Sequence, residues 1–183
     1  KNPRSIIAMK PIIAIIGRPN VGKSTFFNRV TETRKALVDD FPGVTRDRHY
    51  GDATWNDIGF TLVDTGGYPD QDKDDFAHKI RFQIIQAIED ADVIILLLDG
   101  KHGISPFDQD IVKILRELTK PVFYAVNKID GFEQEVKLYD FYSLGIEKLY
   151  PISAEHRYGI SDFLDDLTSV LPETVSDDTG DII

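Results

Sequence analysis

The stretch "GRPNVGKST", residues 17–25, sets Gly17 and Gly22 ahead of a lysine and a hydroxyl. Glycines at those two places let the backbone bend until successive N–H groups converge on one point, an anion-binding nest. A helix opening at Lys23 would add its positive N-terminal end to the same point. Lys23 is then placed to reach the β- and γ-phosphates of a nucleotide. The Ser24 hydroxyl is placed to ligate Mg²⁺, a cation that takes oxygen donors. The pattern G-x-x-x-x-G-K-[ST] is specific for such a cradle when a strand precedes it and a helix follows. Arg18, Pro19, Asn20, Val21 and Thr25 complete the nucleotide-contacting loop, in which Pro19 restricts φ.

Two further stretches supply what a bare cradle lacks. "DTGG", residues 64–67, puts a carboxylate at the end of an apolar run. Asp64 can hold a Mg²⁺-bound water, while Thr65, Gly66, Gly67 and Tyr68 follow around the γ-phosphate, with Gly66 and Gly67 admitting a close backbone N–H. "NKID", residues 127–130, follows another apolar run. The Asp130 carboxylate can accept from guanine N1–H and its 2-amino group; adenine offers neither donor. A bidentate pair of this kind discriminates by roughly 1–3 kcal/mol. Lys128 can lay its aliphatic stem over the base, and Asn127 can tie this loop to the cradle across Ile129 and its neighbours. "SAE", residues 153–155, adds Ser153 and the N–H of Ala154, placed to meet guanine O6. In "FPGVTRDR", Thr45 is the candidate second Mg²⁺ ligand, closing over the γ-phosphate and released on hydrolysis. Arg46 and Arg48 either stabilise transition-state charge or form surface salt bridges.

The elements that must position these groups read as strand, loop and helix. Apolar runs at 12–16, 60–63, 93–98, 122–126 and 149–152 are short and mostly continuous, the pattern of strands covered on both faces. A sixth strand at 49–55 joins the 60–63 strand through "WNDIGF", an antiparallel edge pair. Helices are predicted over 23–30 and on the stripes Ile80/Ile84/Ile88, Phe107/Ile111/Leu115/Leu118 and Phe163/Leu167/Leu171. Ser161 is placed as N-cap of the last, and Pro172 as its close. Phe26, Phe27, Phe82 and Phe163 are assigned to the core. The sum is an α/β fold, a mostly parallel six-stranded sheet with helices on both faces; with the cradle, base and Asp-x-x-Gly motifs it resembles a P-loop NTPase of the small GTPase-like G domain kind. Ligands in such sheets bind beyond the carboxyl ends of the strands, where these motifs fall.

Composition bounds the rest. A chain of 183 residues, 42% hydrophobic, suits one domain with a sizeable core. Its net charge of −10 makes it a poor electrostatic match for nucleic acid or anionic membrane, so no direct RNA binding is expected of it alone. There are no cysteines, which excludes disulfides and thiolate metal sites. The longest strongly apolar run, "VIILLL", is far short of a membrane span. Residues 1–8 read as a cloning remnant before a native start at Met9, 9–172 as the G domain, and the acidic 173–183 as a linker or tail. Cytoplasm is the expected location. His49, His78, His102 and His156 show no metal-ligand spacing. Asp72, Asp74 and Asp75 read as a mobile, solvated segment.

Taken together, "GRPNVGKSTFFNR", "FPGVTRDR", "DTGG", "LLLDGKHGISPFDQDI" and "KPVFYAVNKID" resemble the translation-factor-like GTPases, and within them the first G domain of the Der (EngA) family. The likeness runs from Met9 to about Pro172. It implies a GTP/GDP-binding and GTP-hydrolysing switch dependent on Mg²⁺, in a protein with two tandem G domains and a KH-like domain. It also implies late assembly of the large (50S) ribosomal subunit as the setting, with that subunit as partner of the full-length protein. Ras-like GTPases carry a water-orienting glutamine after Asp-x-x-Gly; Gly67 and Tyr68 stand here instead. Some relatives compensate with K⁺ held partly by the P-loop asparagine, which would make Asn20 a metal ligand beside Ser24, Thr45 and Asp64. The alternative for Asn20 is a side chain bonded to its own loop. The residues acting at the reacting phosphate would then be Lys23, Thr45, Gly67 and Asn20. Two rivals stay open: a GTP-occupied module that scarcely hydrolyses, and an ATP-dependent P-loop enzyme, against which Asp130 argues.

Overall fold

Continuous apolar runs persist as strands where both sheet faces are covered, and here they form the middle of a six-stranded sheet. The computed structural model describes residues 10–31, 49–66 and 73–172, with the backbone alone for 73–77. The strands are β1 (Ile12–Ile16), β2 (His49–Trp55), β3 (Ile58–Asp64), β4 (Val93–Asp99), β5 (Val122–Asn127) and β6 (Leu149–Pro151). They lie side by side in the order β2-β3-β1-β4-β5-β6. Only β2 and β3 run antiparallel; the other neighbours are parallel. The β2–β3 hairpin turns on Asn56 and Asp57, with φ of 50° and 62°, between the paired Trp55 and Ile58. Two consecutive left-handed residues match the twist of the flanking strands, so the edge pair expected at "WNDIGF" is present.

Helices α1 (Lys23–Val30), α2 (Lys73–Asp90), α3 (Pro106–Arg116), α4 (Leu138–Phe141) and α5 (Ile160–Ser169) complete the fold. Alternation along the strands sorts the core into two layers. Ile13, Ile15, Ile95 and Leu97 pack with Phe26 and Phe27 of α1 and Phe163 and Leu167 of α5. Ala14, Ile16, Ile94, Leu96 and Leu98 pack with Ile80, Ile84 and Ile88 of α2 and Ile111 and Leu115 of α3. Phe26 meets Phe163 edge to face at 5.9 Å, a preferred aromatic geometry.

Two expectations fail. Phe82 is 62% exposed: two residues on from Ile80, it lies about 200° around the helix from the buried stripe. Ser161 is not the N-cap of α5. That helix is already wound two residues earlier, with Gly159 as cap at φ 69° and Phe163 N–H donating to the Gly159 carbonyl at 3.2 Å. By contrast, α3 starts on a full capping box, Ser105 with Asp108, and Pro106 opens its first turn. The helical segment 132–144, two 3₁₀ turns flanking α4, answers to no stripe in the sequence. Phe132, Val136 and Tyr139 face outward there while Leu138 and Phe141 are buried, so apolar residues surround the axis.

Candidate nucleotide-binding site

Strand register delivers the motifs to one edge. Ile15 of β1 pairs with Asp64 of β3, and Asp99 of β4 with Asn127 of β5. The P-loop therefore leaves β1 beside the "DTGG" carboxylate, and the "NKID" loop leaves β5 next to the end of β4. The sheet order reverses between β1 and β4, the crevice where doubly wound folds bind ligands.

The loop itself is tight. Gly17 has φ 156°, and a Cβ there would lie 2.7 Å from the Leu97 carbonyl oxygen. Gly22, at φ 102°, caps α1 in a left-handed conformation and has Asn127 Nδ2 where a Cβ would go. These are the two positions where only glycine fits. Lys23 is buried and its Nζ donates to the carbonyls of Gly17 (2.9 Å) and Arg18 (2.8 Å). An ammonium has three donors, and Lys23 also lines the neighbouring cavity, so one donor remains for a phosphate. Burial lowers its pKa from 10.5 to about 8, with the Asp64 charge opposing. The cavity measures about 470 Å³ and is bordered by Pro19, Asn20, Ser24, Thr25, Thr65 and Gly66, with Ile80 and Ile84 of α2 behind. A cavity of about 480 Å³ between β2, α1 and α5 shares none of these residues. It has no P-loop, so converging donors rather than volume mark the first as the phosphate site.

Ser24 Oγ donates to Asp64 Oδ2 at 3.1 Å, and Gly66 N–H donates to Asp64 Oδ1 at 2.8 Å. A hydroxyl and a carboxylate brought together at the cradle's mouth form an all-oxygen donor set that suits Mg²⁺. Thr65 is buried, its hydroxyl donating to the Ile15 carbonyl at 2.9 Å; it fastens β3's end to β1 at the border of the cavity. Asn20 sits at φ 68° and is exposed. Its side chain forms no hydrogen bond among the described residues, unlike the self-bonded alternative.

The base loop is tied to the P-loop as expected. Asn127 is buried, donating through Nδ2 to the Val21 carbonyl (2.8 Å) and accepting through Oδ1 from Ala154 N–H (3.0 Å). That second bond places the Ala154 N–H, expected to meet guanine O6, on the Asn127 side chain, because β6 ends directly beside β5. Ser153 Oγ donates to Asp130 Oδ1 at 2.9 Å, orienting the carboxylate and leaving Oδ2. Ile129 is fully buried and anchors the loop by donating its N–H to the Ile152 carbonyl at 3.0 Å. Lys128 Nζ donates to the Asn20 carbonyl (2.9 Å) and pairs with Asp99 Oδ2 (2.7 Å).

Sequence reasoning missed two participants, Asp99 and Arg29, and the contact that Arg18 makes. Burial pushes the Asp99 carboxyl up, yet hydrogen bonds from Lys128 and from the His102 and Lys101 amides hold it below the usual carboxylate range. Arg18 Nη2 donates to the Gly103 carbonyl at 2.9 Å, binding the P-loop to the β4–α3 connection. Arg29 of α1 donates to the carbonyls of Ala154 (3.0 Å) and Glu155 (2.8 Å). The one signal was Asp99 itself, a carboxylate ending an apolar strand as Asp64 does. Thr45, Arg46, Arg48, Gly67, Tyr68 and Asp72 lie outside the described residues, as do residues 1–9 and 173–183. Among the described residues no cluster of His, Asp and Glu suits a further metal, and no helix is long and apolar enough to cross a membrane.

A family model described as 50S ribosome-binding GTPase matches residues 12–128. GTPase Der of Desulforapulum autotrophicum is 61% identical over 164 residues, covering 90% of this chain and 33% of that relative. GTPase Der of Geotalea daltonii is 52% identical, covering 90% and 37%. The chain thus spans about a third of the length of these curated relatives. Aquifex aeolicus Era, solved as a Tyr-to-Ala variant bound to GDP·AlF4−, superposes with a TM-score of 0.72 at 28% identity, covering 91% of this chain and 58% of that one. With the cradle, the base loop and their buried link all in place, the chain belongs to the family of 50S ribosome-binding GTPases, as a single G domain of the Der (EngA) kind.

Proposed function

We propose that this G domain is a GTP-hydrolysing switch, stimulated by K⁺, that serves late assembly of the large ribosomal subunit as the first of two tandem G domains in a cytoplasmic protein. The observation that carries the catalytic part is the Asn127 link, which joins Val21 of the P-loop to the loop presenting Asp130. The link would let one unit grip phosphate and base together, and the Asp130 carboxylate would select guanine. The ribosomal part is supported by the matched family's description.

In hydrolysis a water oxygen attacks the γ-phosphorus of GTP, the β–γ bridge bond breaks, and GDP and phosphate leave. The protein's share is positioning and charge. Lys23 and the P-loop amides hold the phosphate oxygens as charge shifts toward the β–γ bridge. Ser24, Asp64 and Thr45 would hold Mg²⁺, which when bound neutralises phosphate charge. Gly67 would give a backbone N–H to the γ-phosphate. No glutamine follows Gly66, so the attacking water is not oriented as in Ras-like GTPases. Asn20, which borders the phosphate cavity, would hold K⁺ and supply the missing charge compensation.

GTP turnover with Mg²⁺ in matched KCl and NaCl tests this. We expect clear stimulation by K⁺ that Asn20→Ala abolishes, and loss of the preference for GTP over ATP in Asp130→Asn. The missing glutamine favours a second reading, a module that acts by GTP occupancy alone. Equal, near-zero turnover in both salts would select it.

A further inference from the structure

We infer that Asp99 is a positioning residue for nucleotide retention, acting through Lys128 on the base loop and the P-loop at once. This rests on the reading of residues 127–130 as the base loop.

Asp99 ends β4 and is 2% exposed. A buried carboxylate is costly unless its oxygens are matched, and here each is matched to a different job. Oδ1 accepts the N–H groups of Lys101 (2.9 Å) and His102 (3.0 Å), turning the chain out of the strand. Oδ2 takes the Lys128 ammonium at 2.7 Å. The same ammonium reaches the Asn20 carbonyl at 2.9 Å. Lys128 and Asn20 both hold left-handed backbone, φ 69° and 68°, which non-glycine residues adopt only where their surroundings insist. One charged contact therefore pins two strained residues, one in each loop, and Asp99 pins that contact.

A second fastening lies alongside. The connection that Asp99 starts also presents the Gly103 carbonyl to Arg18. The outer arm of the P-loop, residues 18–20, is thus held at one end by the Gly103 carbonyl and at the other by Lys128, which Asp99 pins. Asp130, oriented separately by Ser153, keeps the choice of base.

The expected consequence is a split: without the Asp99 charge, nucleotide leaves faster, while guanine is still preferred over adenine. Release of a fluorescent GDP analogue, followed by stopped flow, tests it in wild type, Asp99→Asn, Lys128→Met and the double variant, with thermal melts of each ligand-free protein. We expect tenfold or faster release in both single variants and no further gain in the double. Lys128→Met strands a buried carboxylate and lowers the melting temperature; adding Asp99→Asn restores it without slowing release. Release at the wild-type rate from Asp99→Asn, or effects that multiply in the double variant, would overturn the link. Should Asp99→Asn not fold, Lys128→Met, altered at a side chain 31% exposed, decides alone, and wild-type release from it overturns the inference. A wild type that retains no GDP overturns the reading of the site and this inference with it.

Discussion

Lys23 holds a positive charge where little water reaches, and that cost shows in its pKa of about 8. Phosphate oxygens beside the ammonium reverse the balance, so binding a nucleotide near or above pH 8 takes up a proton. GDP affinity should be flat below pH 8 and fall by about tenfold per pH unit above it, until the liganded pKa is reached. Titration by fluorescence between pH 6.5 and 9.5 checks this, with Lys23→Met expected to bind weakly and without the slope. A slope that persisted in Lys23→Met would assign the proton elsewhere. The ligand-free fold follows the opposite sign. Its lysine pKa lies below the unfolded 10.5, so the penalty is full below pH 8 and is relieved as pH rises from 8 to 10.5. At this scale the sequence was most informative, because the spacing of Gly17, Gly22, Lys23 and Ser24 acts through local backbone. It could not say that the Ala154 amide is taken by Asn127, since that depends on β6 lying against β5.

The short helix α1 carries Lys23 and Ser24 at its first turn, yet it has no side-chain cap and little intrinsic preference to form. Packing holds it, through Phe26 and Phe27 in the core. Gly51 of β2 passes directly beneath: a Cβ there would meet Phe27 Cζ at 2.7 Å and Thr31 Cγ2 at 2.8 Å. Gly51→Ala should therefore push α1 outward, costing roughly 1–3 kcal/mol of stability and weakening GDP binding in the same variant. Denaturant unfolding and a binding titration measure the two. Lost stability with unchanged affinity would mean that Lys23 and Asn127 hold the loop without help from the helix. Strands were legible as elements because burial on both faces demands unbroken apolar runs. The start of α5 was not, because the left-handed Gly159 is selected by the Pro151 carbonyl packed where a Cβ would go. The helical segment 132–144 escaped for a different reason: apolar residues on all sides give no stripe to read.

For the molecule as a whole, a net charge of −10 opposes any phosphate-rich partner. Under the tandem-domain organisation proposed above, this sets the expectation that a ribosomal partner is engaged through the other domains. Spun through sucrose with purified large ribosomal subunits, this chain alone should stay behind in both nucleotide states. The full-length protein should travel with the subunits when loaded with a GTP analogue. Cosedimentation of the isolated chain would defeat the charge argument, and failure of the full-length protein would defeat the ribosomal proposal.

The groups able to bind and hydrolyse a nucleotide can be read from local sequence. A P-loop is encoded in one short segment, where glycines, a lysine and a hydroxyl at set spacing let the backbone bend into a nest between a strand and a helix. The class of fold can be read there too, since alternating strand and helix periods admit few arrangements. How the pieces act as one site depends on long-range packing. Asn127 reaches Val21, Lys128 reaches Asp99 and Asn20, and Arg29 reaches Ala154 across separations of 106, 29, 108 and 125 residues. No local pattern encodes such pairings. They follow from parallel strand order and register, which set the ends of β1, β3, β4 and β5 side by side and let buried polar groups complete one another.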